Sequence, residues 1–337
     1  MMNILLLTTG GTIASQEGGG GLIPAISSQS LLSHVADLNH KHTIHHEEIL
    51  NMDSSNIQPE EWQLIAGRIY EALPSYDGII VTHGTDTMAY TASAVSFMLQ
   101  NLNKSIVFTG SQVPIDNPLT DAKTNLYTAV AAIENGILGV TVAFNRKIIN
   151  GTRAVKISTL GFNAFESVNS GCMGEVFADG MRVYRTSTSC LDYGRPVQFT
   201  PGLCKDVFLL KLLPGTKPEV FDMIVQLGYK GVVMEVFGAG GLHYAHRNLL
   251  DKLEMLHKRG IAVAVCSQCT YERCDLSIYD IGQRLLQRKV IPCHDMTTEA
   301  AAVKLMWALT KTRDLDKLQE MFDTNFVGEV YLGTCSF

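Results

Sequence analysis

The stretch Gly78-Ile79-Ile80-Val81-Thr82-His83-Gly84-Thr85-Asp86-Thr87-Met88-Ala89-Tyr90-Thr91-Ala92-Ser93-Ala94-Val95-Ser96-Phe97-Met98-Leu99 changes character twice. Gly78–Thr82 is a short apolar run, as buried strands are. His83 to Thr87 is polar and contains a glycine, which marks a loop. Met88–Leu99 is apolar and too long for a strand, so it reads as a helix. The flanks repeat this unit. Upstream, Asn3–Thr8 reads as a buried strand, Ser30–Ala36 as the start of a helix and Thr43–Leu50 as a strand. Pro59–Leu73 reads as a helix, with proline early and Glu60-Glu61 in the first turn, where negative charge suits the helix dipole. Downstream, Ser105–Thr109, Asp121–Glu134 and Gly139–Phe144 read as strand, helix and strand. This alternation implies a parallel sheet covered on both faces.

Residues 187–203 break the rhythm with Ser, Thr, Gly and Pro in no clear period. After them come strand Val207–Leu212, helix Val220–Leu227, strand Gly231–Val236, helix His246–Lys258 and strand Ile261–Cys266. A helix near Ile281–Gln287, a short strand at Val290–Ile291 and helices at Thr298–Leu309 and Leu315–Phe322 follow. The chain is therefore expected to hold two α/β domains, 1–187 and 204–337, joined by a linker at 188–203. Each is a mainly parallel sheet flanked by helices. The only low-complexity tract is Gly18–Gly21.

Composition narrows the function. The chain has 337 residues, 46% hydrophobic and 18% charged, a globular balance. Its formal net charge of −6 argues against nucleic acid as the main partner, since phosphate binding needs a basic face. No run approaches the ~20 apolar residues of a membrane span. The start, Met1-Met2-Asn3, lacks the basic flank and apolar length of a secretion signal. Eight scattered cysteines suit a reducing compartment, so a cytoplasmic protein is expected. Cys266, Cys269, Cys274 and Cys293-His294 invite a zinc reading, but they do not complete a familiar four-ligand pattern. No metal is expected there, and His40 to His46 reads as a solvated edge.

In open parallel sheets ligands bind beyond the carboxyl ends of the strands. Three polar clusters fall at such ends: Thr9-Gly10-Gly11-Thr12, Asn51-Met52-Asp53-Ser54-Ser55 and His83-Gly84-Thr85-Asp86-Thr87. Taken singly, each has a structural reading. Gly-Gly can be a turn, Thr85, Asp86 or Thr87 can cap a helix, and Asp53-Ser54-Ser55 can be an Asx turn. At three strand ends of one sheet, a binding site is the better reading. The glycines do not form a nucleotide loop. No G-x-x-x-x-G-K-[ST] occurs, and in Gly238-Ala239-Gly240-Gly241 the following His243 stands where G-x-G-x-x-G needs its last glycine or alanine. No G-x-S-x-G elbow occurs either. The nucleophile candidates are threonine hydroxyls, which need a base. A lysine that loses its proton readily can serve, and Asp86 could hold one in place.

Thr9-Gly10-Gly11-Thr12-Ile13-Ala14 and His83-Gly84-Thr85-Asp86-Thr87-Met88 resemble the two signature segments of the bacterial-type asparaginases, most closely the cytosolic type I branch. The resemblance extends through Met52-Asp53-Ser54-Ser55, Tyr90-Thr91-Ala92-Ser93-Ala94, Thr109-Gly110-Ser111-Gln112, Gly161-Phe162-Asn163-Ala164-Phe165 and Asp295-Met296-Thr297. It implies a two-domain asparaginase-like fold and hydrolysis of L-asparagine to L-aspartate and ammonia through a threonine-linked acyl-enzyme. Thr12 matches the primary nucleophile. Thr85, Asp86 and Lys156 match the threonine, aspartate and lysine of a proton relay. Ser54 and Asp86 match residues holding the α-carboxylate and α-amino groups, with Ser55 assisting. Gly11, Asp53, Gly84 and Thr85 fall in the same substrate-binding segments. N–H groups near Gly11 and Thr85 are expected oxyanion donors. No metal or organic cofactor is needed.

The resemblance also implies a homodimer or homotetramer in which the second domain contributes to a neighbouring site. Gln16–Pro24 is expected to be a lid. Where relatives carry a tyrosine just before Ile-Pro in this segment, the chain has Leu22-Ile23-Pro24, and Tyr279 is the candidate replacement from the second domain. Some relatives bind asparagine at a control site whose polar anchors align with Val155 and Glu235, a pair poorly suited to a carboxylate, so weak or absent cooperativity is expected. Two other functions stay open. One is a glutaminase-leaning or tRNA-dependent amidase, the other a catalytically silent amino-acid-binding sensor.

Overall fold

A strand buried on both faces needs cover on both faces, and Gly78–Thr82, buried at every residue, lies inside an eight-stranded sheet. The order across the sheet is Gly180–Val183, Gly174–Phe177, Lys147–Asn150, Gly139–Phe144, Ser105–Thr109, Gly78–Thr82, Asn3–Gly10, Thr43–Met52. The computed structural model describes residues 1–18, 21–24, 28–36, 38–184, 191 and 194–332, with backbone only for 16–18, 21–24, 28–30 and 39. It divides into two compact units, Met1–Pro201 and Gly202 onward.

In the first unit the five strands from Gly139–Phe144 to Thr43–Met52 are parallel. Ile4, Leu6, Ile80 and Val107 share one core with Leu126, Val130 and Ile133 of helix Ala122–Glu134. The alternate residues Leu5, Leu7, Ile79, Val81 and Phe108 are equally buried, so the opposite face is covered as well. Helix Pro59–Ala72 begins with a capping box in which Glu61 Oε2 accepts from Gln58 N at 2.8 Å. The strand Thr43–Met52 forms the sheet edge and is largely solvated, with His40, His45 and His46 exposed beside it. His42 departs from that reading. It is buried and bonds Glu134 at 2.8 Å.

The sheet is mainly parallel, as expected, with antiparallel additions that the strand-helix rhythm does not reveal. Lys147–Asn150, Gly174–Phe177 and Gly180–Val183 extend the sheet as antiparallel neighbours. A separate antiparallel ribbon pairs Ala154–Lys156 with Phe165–Ser167. The expected lid is an antiparallel hairpin, Ser15–Gly18 with Gly21–Pro24. Gly19 and Gly20 lie outside the described residues, as does the side chain of Leu22. These strands are short and lack a helical partner in sequence, so a β-α rhythm does not reveal them. Of the expected linker, 188–190, 192 and 193 lie outside the described residues. Gln198–Phe199 pairs with Leu99–Gln100, and Phe199 stacks on Tyr70 at 4.8 Å.

The second unit holds a four-stranded parallel sheet in chain order: Val207–Lys211, Gly231–Val236, Ala262–Ser267, Ile291–Pro292. Val232, Met234, Val263 and Val265 pack with Phe221 and Ile224 of helix Glu219–Gln226 and with Leu253 and Leu256 of helix Leu250–Lys258. That last helix starts four residues later than the sequence pattern suggests. Arg247 is left-handed at φ 51, and Asn248 Oδ1 accepts from Leu250 N at 2.9 Å, which ends the loop in a turn. Helix Thr298–Ala308 is capped by Thr297, whose Oγ1 accepts from Ala300 N at 3.1 Å.

A fully buried ion pair fastens the end of this unit. Lys304 Nζ donates to Glu329 Oε1 at 2.5 Å and to Thr324 O at 2.8 Å. Glu329 also accepts from Phe326 N and Val327 N. Removing one partner leaves an uncompensated buried charge. Lys304→Met is therefore expected to lower unfolding free energy by about 3–5 kcal/mol in urea titrations. The double change Lys304→Met with Glu329→Leu should recover part of that loss. A single variant as stable as the parent would contradict this role.

Candidate active site

The carboxyl ends of neighbouring strands meet through glycine. Gly10 and Gly11 both have positive φ, 99 and 81. A Cβ on Gly10 would lie 2.5 Å from Met52 N, and one on Gly11 would overlap Gly84 N and Cα. A Cβ on Gly84 would lie 2.6 Å from Ser54 Oγ. The first two contacts are backbone to backbone and the third sets Gly84 against the Ser54 side chain, so the loops after Asn3–Gly10, Thr43–Met52 and Gly78–Thr82 come together closely through glycine. Gly11 N donates to Met52 O at 3.2 Å, and Thr9 Oγ1 donates to Thr82 O at 2.9 Å. Thr12 and Thr85, the residues after Gly11 and Gly84, leave a common point of contact.

Thr12 opens a short 3-10 helix, Thr12–Ala14, and is half-buried. Its hydroxyl and N–H form no hydrogen bond among the described residues. Ser15 Oγ ties the turn back to Gly11 O at 2.9 Å. In the second loop Asp53 takes its structural reading: its Oδ1 accepts from Ser55 N at 2.7 Å and caps the turn Ser54–Asn56. Ser54 is buried, and its carbonyl accepts from Thr87 Oγ1 at 2.7 Å. Thr87 is thus a bridge between loops, although it stands at the N-cap of helix Met88–Met98. Ser55 is exposed.

Three of the expected relay residues are in direct contact. Lys156 Nζ donates to Thr85 Oγ1 at 2.8 Å and to Asp86 Oδ1 at 2.6 Å. Lys156 ends the ribbon strand Ala154–Lys156, and pairing with Phe165 fixes which way it faces. Its side chain is 17% exposed and that of Asp86 61%, so the lysine is shielded while the carboxylate stays open to a ligand. Of the N–H groups near Gly11 and Thr85, one is already taken. Gly11 N is committed to Met52 O. The N–H groups of Thr12 and Thr85 are uncommitted among the described residues.

Two side chains enter the site without a sequence-based role. His83, fully buried, bonds Gly84 O through Nδ1 at 2.7 Å and Thr91 Oγ1 through Nε2 at 2.9 Å. A carbonyl can only accept, so Nδ1 carries the proton and Nε2 accepts. Burial holds His83 down to about 4, against a smaller upward pull from the Gly84 carbonyl. Gln112 Oε1 accepts from Thr85 Oγ1 at 3.3 Å. Gln112 follows strand Ser105–Thr109 at the same rim, which is a positional signal, but a glutamine carries no acid-base signature.

Tyr279 belongs to the second unit. It is exposed and precedes helix Asp280–Leu286. In that unit Glu235 accepts from Thr298 Oγ1 at 2.7 Å and pairs with Lys211 at 3.3 Å. Cys266 and Cys293 are buried neighbours, Cys274 Sγ donates to Ala239 O at 3.6 Å, and Cys269 is exposed. No group of metal-ligating side chains is present among the described residues.

A two-unit α/β fold that bonds a lysine to a hydroxyl and a carboxylate beyond its strand ends has the parts of an enzyme's site, and comparison with known proteins gives its kind. The family model described as "Asparaginase, N-terminal" matches residues 3–189, and that described as "Glutaminase/Asparaginase C-terminal domain" matches 206–322. The chain belongs to the asparaginase family. It is 41% identical to the L-asparaginase of Thermococcus kodakarensis over 98% of this chain and 99% of the other. The solved structure of the thermostable L-asparaginase from that organism aligns with a TM-score of 0.92 at 40% identity, covering 98% and 99% of the two chains. L-asparaginase I from Vibrio cholerae aligns at 0.86 and 28% identity, covering 98% and 99%. A glutamyl-tRNA(Gln) amidotransferase component from Pyrococcus abyssi is 34% identical over 97% of this chain and 76% of its own length. The expected fold class holds: a two-domain asparaginase fold of mostly parallel sheets with flanking helices.

The buried imidazole has a thermodynamic consequence. An unfolded chain takes up the His83 proton near 6.5, whereas the folded chain resists until about 4. Its contribution is complete above 6.5 and falls by about 1.4 kcal/mol per pH unit as pH drops through that window. Urea titrations across this range should show the parent losing its stability difference from His83→Gln at about that rate. Parallel stability curves would contradict the assignment.

Proposed function

We propose that this protein hydrolyses L-asparagine to L-aspartate and ammonia through an ester on Thr12. The observation that carries the reading is Lys156 Nζ held 2.8 Å from Thr85 Oγ1 and 2.6 Å from Asp86 Oδ1, in a loop whose Gly84 backbone lies against Gly11, the residue before Thr12. Membership of the asparaginase family and the similarity to the Thermococcus enzyme support the substrate.

Asp86 neutralises the substrate's α-ammonium, while Ser54, with Ser55 assisting, receives its α-carboxylate. Asp53, Gly11 and Gly84 shape the cavity through their backbone geometry. Thr12 Oγ attacks the side-chain amide carbon, and its proton leaves through the relay. The N–H groups of Thr12 and Thr85 receive the developing oxyanion, a contribution of about 3–4 kcal/mol per donor. The C–N bond breaks, nitrogen leaves as ammonia after taking a proton, and an ester to Thr12 remains. Water then attacks the ester carbonyl carbon and gives a proton to the relay, the bond from that carbon to Thr12 Oγ breaks, Thr12 Oγ takes a proton back, and L-aspartate leaves. A proton leaving Thr85 meets an amine on one side and an amide oxygen on the other, and only a neutral Lys156 amine can hold it.

A glutamine side chain is one methylene longer than asparagine, a difference worth roughly 10–200-fold in a fitted pocket. Ammonia assays with both amino acids distinguish an asparaginase from a glutaminase-leaning amidase, and binding without ammonia release would identify a silent sensor. We further propose a homodimer or homotetramer, because Ile157, Leu160 and Phe162 are exposed just beyond Lys156. Tyr279 is the residue proposed to reach a neighbouring site in such an assembly. The cysteine usage favours the cytoplasm, and among the described residues no helix is long and apolar enough to cross a membrane. Neither nucleic acid nor a membrane is a proposed partner.

Thr12→Ala, Thr85→Ala and Lys156→Met are each expected to abolish ammonia release while circular dichroism and melting remain near the parent's. Near-normal turnover by any folded member of the set would remove its assigned role. Asparagine saturation should be hyperbolic, since Val155 offers no polar group and Glu235 is an anion already paired within its unit. A clearly sigmoidal curve would show that a control site exists.

A further inference from the structure

We infer that Gln112 is a positioning residue that sets the direction of the Thr85 hydroxyl, and so the direction of proton travel through the relay. This rests on the reading of Thr85 and Lys156 as a proton relay. Gln112 is half-buried, and all of its side-chain polar atoms are bonded. Its Nε2 donates to Thr159 O at 3.0 Å and to Gly161 O at 3.1 Å. Turning the amide over would set its oxygen against two carbonyl oxygens, so the orientation is fixed by chemistry. Its Oε1 must therefore face Thr85, from which it accepts at 3.3 Å.

A threonine hydroxyl has one proton and two lone pairs, and its rotation is otherwise free. With the proton directed at Gln112, a lone pair of Thr85 Oγ1 is left for the Lys156 N–H at 2.8 Å. The amide oxygen cannot keep a proton at neutral pH, so it parks the proton without consuming it. Reversing the hydroxyl towards a neutral Lys156 then starts transfer. Gln112 thus supplies orientation and takes no part in bond making.

The glutamine is itself braced. Gln112 N donates to Asp121 Oδ1 and Oδ2 at 3.0 and 3.1 Å, and Val113 N donates to Asp121 Oδ1 at 3.2 Å. Asn125, fully buried, donates from Nδ2 to Gly110 O at 2.9 Å and to Asp121 Oδ2 at 3.0 Å, and accepts from Asn145 N at 2.9 Å. The loop after strand Ser105–Thr109 is therefore rigid where it carries Gln112. Through Thr159 and Gly161 the same side chain grips the loop that follows Lys156. Both partners of the Thr85–Lys156 bond are registered against one amide.

The test uses the full-length protein, asparagine as substrate, and the variants Gln112→Met and Gln112→Glu. The methionine variant keeps length but loses every hydrogen bond. The glutamate variant keeps an acceptor for Thr85 but loses both N–H donors that fix its aim. The expected result is a fall in kcat of about 10–100-fold for Gln112→Met with KM within about threefold, and an intermediate kcat for Gln112→Glu. A folded Gln112→Met with kcat within threefold of the parent would overturn the assignment, as would a loss expressed in KM alone. Should Gln112→Met fail to fold, Gln112→Glu decides: reduced kcat at parental KM supports the role, and parental kcat refutes it. Failure of the parent to release ammonia would count against the proposed function instead, a separate outcome.

Discussion

The site depends on a place where two stretches of backbone touch with no side chain between them. Gly11 and Gly84 occupy it, and a single methyl group on Gly11 would meet the main chain of the other loop. Neither loop is long enough to retreat, because each leaves directly from a buried parallel strand. Close approach of rigid strand ends does what a flexible connector could not. It sets the hydroxyl of Thr12 and that of Thr85 on neighbouring backbone without help from a ligand, so little of the ordering cost falls on the bound substrate.

Against that rigid junction, the polar groups are distributed by how far each is shielded. Lys156 is mostly covered and carries two acceptors, whereas Asp86 is largely open and spends one oxygen on the lysine. The second oxygen makes no hydrogen bond among the described residues. His83 lies behind the loop, neutral, and stitches the Gly84 carbonyl to the helix that follows. A charged imidazole there would lack solvent and any nearby anion, which is why burial dominates its titration.

The parallel strands of both sheets are legible in the sequence because apolar strands and helices of ordinary length alternate there. The antiparallel elements are not. Lys147–Asn150, Ala154–Lys156 and Phe165–Ser167 are three or four residues long, too brief for any period to emerge. Thr12, Thr85 and Asp86 stand out because their residue types and strand-end positions agree with a signature. Lys156 rests on resemblance alone, since nothing in Ala154-Val155-Lys156 separates it from a surface lysine. Gln112 and His83 act through geometry: one by the aim of an amide oxygen, the other by the absence of water. Neither property can be read from a residue name. The turn-forming reading of Asp53 is legible from its place before Ser54-Ser55, and its Oδ1 does cap that turn.

The ribbon that presents Lys156 bears on how this gene can drift. Side chains along a strand alternate between faces, so Val155 and Lys156 point opposite ways. Gaining one codon between Thr152 and Val155 would bring the Val155 isopropyl group to Thr85 in place of the amine, and losing one would bring the Ile157 side chain there. Substitutions in that ribbon can be absorbed singly, but its length is held to a parity rule. Natural variation in this segment should accordingly appear as residue replacement or as paired changes in length, with odd shifts confined to the stretch beyond Ile157.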